Sequence, residues 1–537
     1  DKYKVIMASD RIKYVREDDG IVTTTEVTVT RDHNAEIRRI TFQNNTNKDV
    51  TLEITSYGEV IICRNEEDIA HRTFNNLTIY SDFDEETSSL IFSRKSRTKE
   101  NTKYYIVNRL FSDTDDKTTL EFETSREKFI GRNNTLSNPD MIMTRKKMSN
   151  KVGASLEPIM SIRKQVKINA KSKKSMYLLV GFGKSREQVM DIVNIYKDEL
   201  SINKAFEMTT VLNNISTGYA NLTAHQKSLY ASMLKYIYQS IPYSEERKNI
   251  LQMNSMAVNN LWKFGISGDW PIILVEIDNI EDIGFIKEVL QAYEFYKNHG
   301  LGIDIIILNN EDSNKEKSIC DYINNLMYRI NSTNYFDNIP GNVYVISTYN
   351  IIPEEKILLK TVATIILNAS IDKTLSEQIY QFGAMLPNVN KTNQITTIQP
   401  IAIELPKSIE FYNGYGGFDN NGKEYVIDKL NTPMPWANVI ANKKFGTVIT
   451  NNLGGFSYIH NSRELKLTAW SNDIVSDPAT EAIYINSEKF IPSVVKHGFG
   501  YTVFEGKTKE YDVIIKIFVG CEDSIKLYEV KVINNLA

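Results

Sequence analysis

Two stretches near opposite ends of the chain repeat each other without a gap. EVTVTRDHNAEIRRITFQNN (26–45) lies over KIFVGCEDSIKLYEVKVINN (516–535). Val27 and Ile517, Val29 and Val519, Ile37 and Leu527, and Ile40 and Val530 coincide, and both stretches end on Asn-Asn. Each reads as two strands of alternating apolar and polar residues around a polar turn. Strand periodicity alone produces part of such a match. The shared turn and the identical ending point further, to two sheet domains of common ancestry. By this offset, residues 1–190 correspond to the later part of such a domain and 401–537 to its earlier part, as in a section of a longer tandem array. Each part by itself would leave strand edges open. The expectation is that the two parts pack against each other and complete one sandwich.

The period of the sequence changes along the chain. Up to about residue 190, short alternating runs (VTLEITSYGEV, MYLLVGFG) are separated by turn-rich segments such as NNTNKD, the pattern of antiparallel sheet with one face buried. MYLLVGFG runs into GKSREQVMDIV, where Ser185 can cap a helix and Gln188 holds the capping-box position. Residues 191–268 then read as a helical connector, with Leu229, Met233 and Ile237 repeating at i+4. Between 269 and 370 the runs WPIILVEID, GIDIIILNN, VYVIST and TVATIILN are almost wholly apolar and alternate with helical stretches. That combination predicts a small α/β domain with a parallel sheet covered on both faces. Residues 371–400, including KTNQITTIQP, read as a linker, and 401–537 returns to short strands with Gly and Asn turns.

A chain of 537 residues is too long for a single core. Its formal net charge of −4 gives no basic field for nucleic acid. No apolar run has the length of a membrane span. Three cysteines, odd in number and far apart, suit a reducing, cytoplasmic setting. Familiar catalytic signatures fail. GFGKS (181–185) resembles the end of a phosphate loop, but Leu178 stands where the first glycine should be, so a strand followed by a capped helix fits better. The six histidines show no paired metal-ligand spacing, and no G-x-S-x-G elbow is present. No residue is assigned a catalytic, cofactor-binding or metal-binding role.

A specific resemblance is carried by LWKFGISGDWPIILVEI (261–277) with LQAYEFYKNHGLGIDIIILNNED (290–312). It is also carried by FYNGYGGFDNNGKEYVI (411–427), by the long run from TPMPWANVIANKKFG to SYIHNSRELKLTAWSNDIVSDPATEAIYI (432–485), and by VKHGFGYTVFE (495–505). Together these resemble the C-terminal part of cyclic β-1,2-glucan synthases and the phosphorylases of glycoside hydrolase family 94, formerly glycosyltransferase family 36. The resemblance covers nearly the whole chain. It implies a multidomain α+β fold with antiparallel, galactose-mutarotase-like β-sandwich parts, a helical connector and a small α/β domain. In that family an (α/α)6 toroid follows the sandwich and carries the catalytic aspartate. The reaction is an inverting phosphorolysis in which one carboxylic acid protonates the leaving oxygen while phosphate attacks the opposite face. The resemblance therefore implies a parent transferase or phosphorylase that needs no cofactor beyond inorganic phosphate as co-substrate. Its partners would be a β-glucan or oligosaccharide and the downstream toroid. The parent's membrane-embedded part would lie upstream, and this segment would be inactive alone.

What remains that could touch sugar is SYIHNSRELKLTAWSND (457–473). The family pattern here resembles NSRENRLTPWSND. This chain keeps NSRE and WSND, with Leu465 and Lys466 in place of an Asn-Arg pair. Arg463 can grip two hydroxyl oxygens, with Glu464 beside it as an acceptor. Asn472 and Asp473 can pair with neighbouring hydroxyls, and Trp470 can stack on a pyranose face. The competing reading is architectural, with Arg463 and Asp473 as an ion pair within a loop and Trp470 as a core plug. GYGGF (414–418) reads as tight-turn glycines, and His497 as a buried, hydrogen-bonded imidazole. Three functions stay open: a non-catalytic, carbohydrate-binding scaffold, an autonomous carbohydrate-active enzyme, and a spacer without sugar affinity.

Overall fold

The computed structural model describes residues 2–8, 10–95, 104–112, 120–218, 222–239, 243–310, 316–331, 339–384, 400–485 and 488–536. The chain forms two compact units, one of residues 1–6, 12–202 and 392–537, the other of 7–11 and 203–391.

In the first unit, the N-terminal half builds a nine-stranded sheet. Its order is Lys2–Met7, Ile12–Asp18, Ile21–Val29, Ala35–Asn44, Lys173–Gly183, Tyr105–Phe111, Ser89–Arg94, Ile79–Asp84 and Gly153–Ala154. A second layer is made by Glu121–Ser125, Pro158–Ile168 and Val50–Thr55, with Gly58–Glu59 also pairing with Pro158–Ile168. Alternation places Phe42, Leu110 and Leu178 against Phe122, Ile162 and Val166 between the layers. Each such side chain, fully buried, contributes about 1.5–3 kcal/mol.

The expectation of one buried face fails at the central strand, where Met176, Tyr177, Leu178 and Leu179 are all buried. The reason is the helix Arg186–Ile195, which covers the outer face with Val189, Ile192 and Val193. The glycines of GFGKS let it approach. A Cβ on Gly181 would stand 2.9 Å from Val107 and 3.0 Å from Ile192, and one on Gly183 would stand 2.9 Å from Gln188. Ser185 Oγ accepts from Gln188 N at 3.2 Å, and Gln188 Oε1 accepts from Lys184 N at 2.8 Å. The segment is a strand and a capped helix, and its glycines serve packing.

The C-terminal half is a smaller sandwich. Gly416–Asp419, Glu424–Ile427, Val494–Gly498, Tyr501–Lys507, Tyr511–Val519 and Lys526–Asn534 form one sheet, and Ala437–Ala441, Phe445–Thr450 and Gly455–Ile459 form the other. Ile427, Ile449, Phe504 and Ile515 fill the space between. The GYGGF glycines permit close backbone approach, since a Cβ on Gly416 would meet Val426 O at 2.3 Å and one on Gly417 would meet Glu410 O at 2.7 Å.

The sequence repeat is a structural repeat with one register. Ile21 pairs with Asn44 and Val29 with Glu36; 490 positions later, Tyr511 pairs with Asn534 and Val519 with Lys526. The preceding ladders agree as well, Ile12 with Val27 and Thr502 with Ile517. The halves do not share a sheet, because every described ladder stays within its own half. They meet through side chains instead. Val475 is buried with Phe129, Ile130, Met141 and Ile159.

In the second unit, Val343–Ser347, Asp304–Asn309, Ile272–Ile277 and Ile365–Asn368 form a parallel sheet in that order. One face buries Ile273, Val275 and Ile305 under Val289 and Tyr293. The other buries Leu274, Ile306 and Leu308 with Leu358 and Leu359. Burial on both faces is why these strands read as unbroken apolar runs. Leu229, Met233 and Ile237 of the helix Ala224–Tyr238 belong to the first of these cores. So do Leu375 and Ile379, so the start of the expected 371–400 linker is a packed helix, Leu375–Ala384. Residues 391–399 of KTNQITTIQP lie outside the described residues.

Candidate functional site

The strand Gly455–Ile459 ends at His460, whose φ of 54° turns the chain and whose N–H donates to Lys444 O at 2.8 Å. Asn461 Oδ1 then accepts from the N–H groups of Arg463 (2.9 Å) and Glu464 (3.1 Å), a turn held by an Asx side chain. The chain folds back beside the strand, with Tyr458 opposite Lys466 and Leu467 N donating to Ser457 O at 2.8 Å. NSRE is therefore the tip of a tight return. Arg463 Nε pairs with Glu464 Oε1 at 3.1 Å, both side chains about two-thirds exposed (68% and 65%). A pair so open to water contributes little to stability.

Trp470 is not a core plug, because 40% of it is exposed. Its ring lies 4.8 Å from the buried Phe456 ring at 31°, and Lys466 Nζ stands 5.7 Å from both centroids. Lys466 thus takes up a cation–π position over an aromatic pair. An open groove of about 880 Å³ reaches Lys444, with Lys443, Phe499, Tyr501, Lys516 and Phe518 along its walls.

Asp473 has a different role. Following Asn472 (φ 51°), its Oδ1 accepts from Arg126 Nη1 (2.7 Å), Val475 N (2.9 Å) and Ser476 N (3.0 Å). Its Oδ2 accepts from Arg126 Nη2 (2.7 Å) and from Ser476 Oγ. Burial by itself would raise this carboxyl, but the Arg126 and Ser476 hydrogen bonds hold it far below the usual carboxylate range. Arg126 also binds Glu157 Oε2 at 2.8 Å and Glu59 Oε1 at 3.0 Å. Beside it, Arg132 donates to Thr432 O (3.0 Å) and Val475 O (3.3 Å) and pairs with Asp477 at 3.3 Å. The expected Arg463–Asp473 pair does not form. Arg463 turns to Glu464, and Asp473 fastens the two sandwich halves together. Nothing in the local sequence marks Arg126, which stands 347 residues away.

His497 is held as its sequence suggested. Nε2–H donates to Trp436 O at 3.2 Å, which leaves Nδ1 to accept from Thr502 Oγ1 at 3.0 Å. Burial pushes its pKa down to about 4. Among the described residues, no cluster of three or more His, Cys, Asp and Glu side chains is placed to hold a metal ion. None of the described helices is long and apolar enough to cross a membrane.

Paired antiparallel sandwiches, tied by buried arginines and interrupted by a parallel α/β unit, define a multidomain α+β protein of the supersandwich type. The chain belongs to glycoside hydrolase family 94: the model of the "Glycosyl hydrolase 94, supersandwich domain" matches residues 1–199 and 423–537. It is 22% identical over 533 residues to the "Cyclic beta-(1,2)-glucan synthase NdvB" of Rhizobium meliloti (strain 1021), covering 94% of this chain and 19% of the synthase. The N,N'-diacetylchitobiose phosphorylases of Vibrio furnissii and Vibrio proteolyticus match over 75 and 74 residues at 36% and 34% identity, in each case 14% of this chain and 9% of the phosphorylase. The chain thus spans only a small part of the length of each of these relatives.

Proposed function

We propose that this chain is a non-catalytic, glucan-facing scaffold of a β-glucan-processing enzyme of the synthase or phosphorylase type. The parent would use inorganic phosphate if it is a phosphorylase, and its (α/α)6 domain would supply the acid. The observation that carries the reading is the half-exposed Trp470 packed at a tilt against Phe456 beside Lys466, on a loop that presents Arg463 and Glu464 to solvent. An aromatic face next to forked donors and acceptors suits a pyranose, which offers C–H faces and ring hydroxyls. Asp473 serves this reading indirectly, by anchoring the far end of the loop to Arg126.

Calorimetric titration with β-1,2-gluco-oligosaccharides tests it. Binding should be saturable, and Trp470→Ala should weaken it about tenfold, the loss of roughly 1.4 kcal/mol. Arg463→Ala should weaken it less, since that side chain is solvated before it binds. No heat with the unaltered chain would leave only a spacer. Phosphate uptake or release with the same sugars would instead mark an autonomous enzyme.

A further inference from the structure

The buried Arg126 holds more than the WSND segment. Its Nη1 and Nη2 take both oxygens of Asp473 from the C-terminal half, while its Nε–H donates to Glu59 Oε1 (3.0 Å) in the N-terminal half. One guanidinium therefore sets a carboxylate of the other half beside the anchor of the loop that carries Trp470. Tyr57 O–H donates to the same Oε1 at 3.0 Å, so Glu59 is pinned at that oxygen from two sides. Its other oxygen, Oε2, accepts no hydrogen bond among the described residues, and 33% of the side chain is exposed.

A second cation stands next to this open oxygen. Arg72 Nη2 lies 3.7 Å from Glu59 Oε2, beyond a hydrogen bond, and 38% of the Arg72 side chain is exposed. Arg72 Nε donates to Asp68 Oδ1 at 3.3 Å, one turn earlier in the helix Asn65–Asn76. Neither Nη group of Arg72 donates a hydrogen bond among the described residues. An untethered surface pair closes up, as Arg463 and Glu464 do at 3.1 Å. Glu59 and Arg72 stay apart because each is held from behind. The result is an acceptor that cannot donate, facing donors that cannot accept, across a gap. Two adjacent hydroxyls fill such a gap, one donating to the carboxylate while its neighbour accepts from the guanidinium. A residue inside a β-1,2-linked glucan has its 2-oxygen in the linkage and keeps the 3- and 4-hydroxyls side by side.

We propose that Glu59 and Arg72 are a second contact point for the glucan, taking a vicinal diol of a chain that also lies on Trp470, so that the bound sugar bridges the two sandwich halves. The proposal rests on the glucan-facing reading above. It adds the feature of the substrate that is read, the paired 3- and 4-hydroxyls, and two residues from the half that does not carry the loop. Arg126 has a positioning role in this arrangement, since it fixes Asp473 and Glu59 at once.

Calorimetric titration of the full chain with a β-1,2-gluco-oligosaccharide tests this in the variants Glu59→Gln and Arg72→Met. Each should weaken binding about tenfold, and the double variant by little more than either, because both act on one diol. Arg72→Met removes only a solvated pair, so its melting should not change, and it keeps the test decisive if Glu59→Gln loosens Arg126. Hydrogen exchange at saturation gives a second readout: protection should rise in peptides from 65–76 as well as from 457–473. A β-1,3-gluco-oligosaccharide, whose inner residues have no adjacent free hydroxyls, should show the same affinity for the unaltered chain and for Arg72→Met. Full affinity of Arg72→Met for the β-1,2 chain, or protection confined to 457–473, would overturn the proposal and leave the glucan-facing reading in place. Absence of binding by the unaltered chain would instead remove that reading, and the bridge with it.

Discussion

Asp473→Ala separates the architectural from the sugar-binding role of the AWSND segment. The substitution removes five hydrogen bonds, two of them to a guanidinium, at side chains only 10% and 16% exposed. Breaking a buried pair by deleting one partner costs about 3–5 kcal/mol. Arg126 keeps Glu157 and Glu59, so a loss of roughly 2–3 kcal/mol is expected. In a cycle with Arg126→Met, the coupling energy should be about 2 kcal/mol. Since two units unfold, urea denaturation should be followed by pulsed hydrogen exchange on peptides from 121–168 and 445–480, which report on the sandwich unit alone. The dependence on pH has a definite sign. The carboxyl is depressed in the folded state, so its contribution is complete above the usual carboxylate range and is lost as pH falls below it. Glu157, raised chiefly by burial, works in the opposite sense and favours the fold less as pH rises through its folded value. Coupling below about 0.5 kcal/mol, together with complete loss of oligosaccharide affinity, would refute the reasoning and make Asp473 a sugar ligand.

Two other perturbations follow from the packing. His497 titrates at about 4 when folded and near 6.5 when unfolded, so its contribution is full above pH 6.5 and is lost towards pH 4, a change of roughly 3 kcal/mol. His497→Gln should flatten the stability profile of the sandwich unit across that window, and an unaltered slope would count against burial as the cause. Gly181→Ala forces a methyl between the stiff side chains of Val107 and Ile192 and should cost about 1–3 kcal/mol, read as faster exchange in the helix Arg186–Ile195. Equal protection with and without the methyl would mean that the helix rides further from the sheet.

Much of the fold could be read from local pattern. Alternation marked the sandwich strands, unbroken apolar runs marked the parallel sheet, and Ser185 with Gln188 marked a helix start. Such signals are local because they follow from backbone period and from capping of the first helical turn. The site was legible only in part. Arg463, Glu464 and Trp470 do reach solvent, and the aromatic partner Phe456 follows from the return of the loop on its own strand. The partner of Asp473 did not follow, because Asp and Arg pair by proximity in space and no period links positions 126 and 473.

The sequence by itself determined the repeat, its hairpin register and the kinds of element between. Each of these rests on interactions among residues close in the chain or on a pattern present twice. Tertiary structure alone decided which faces were covered. It laid a helix over Leu179 and bound Asp473 to Arg126. Burial depends on what another part of the chain places against a surface.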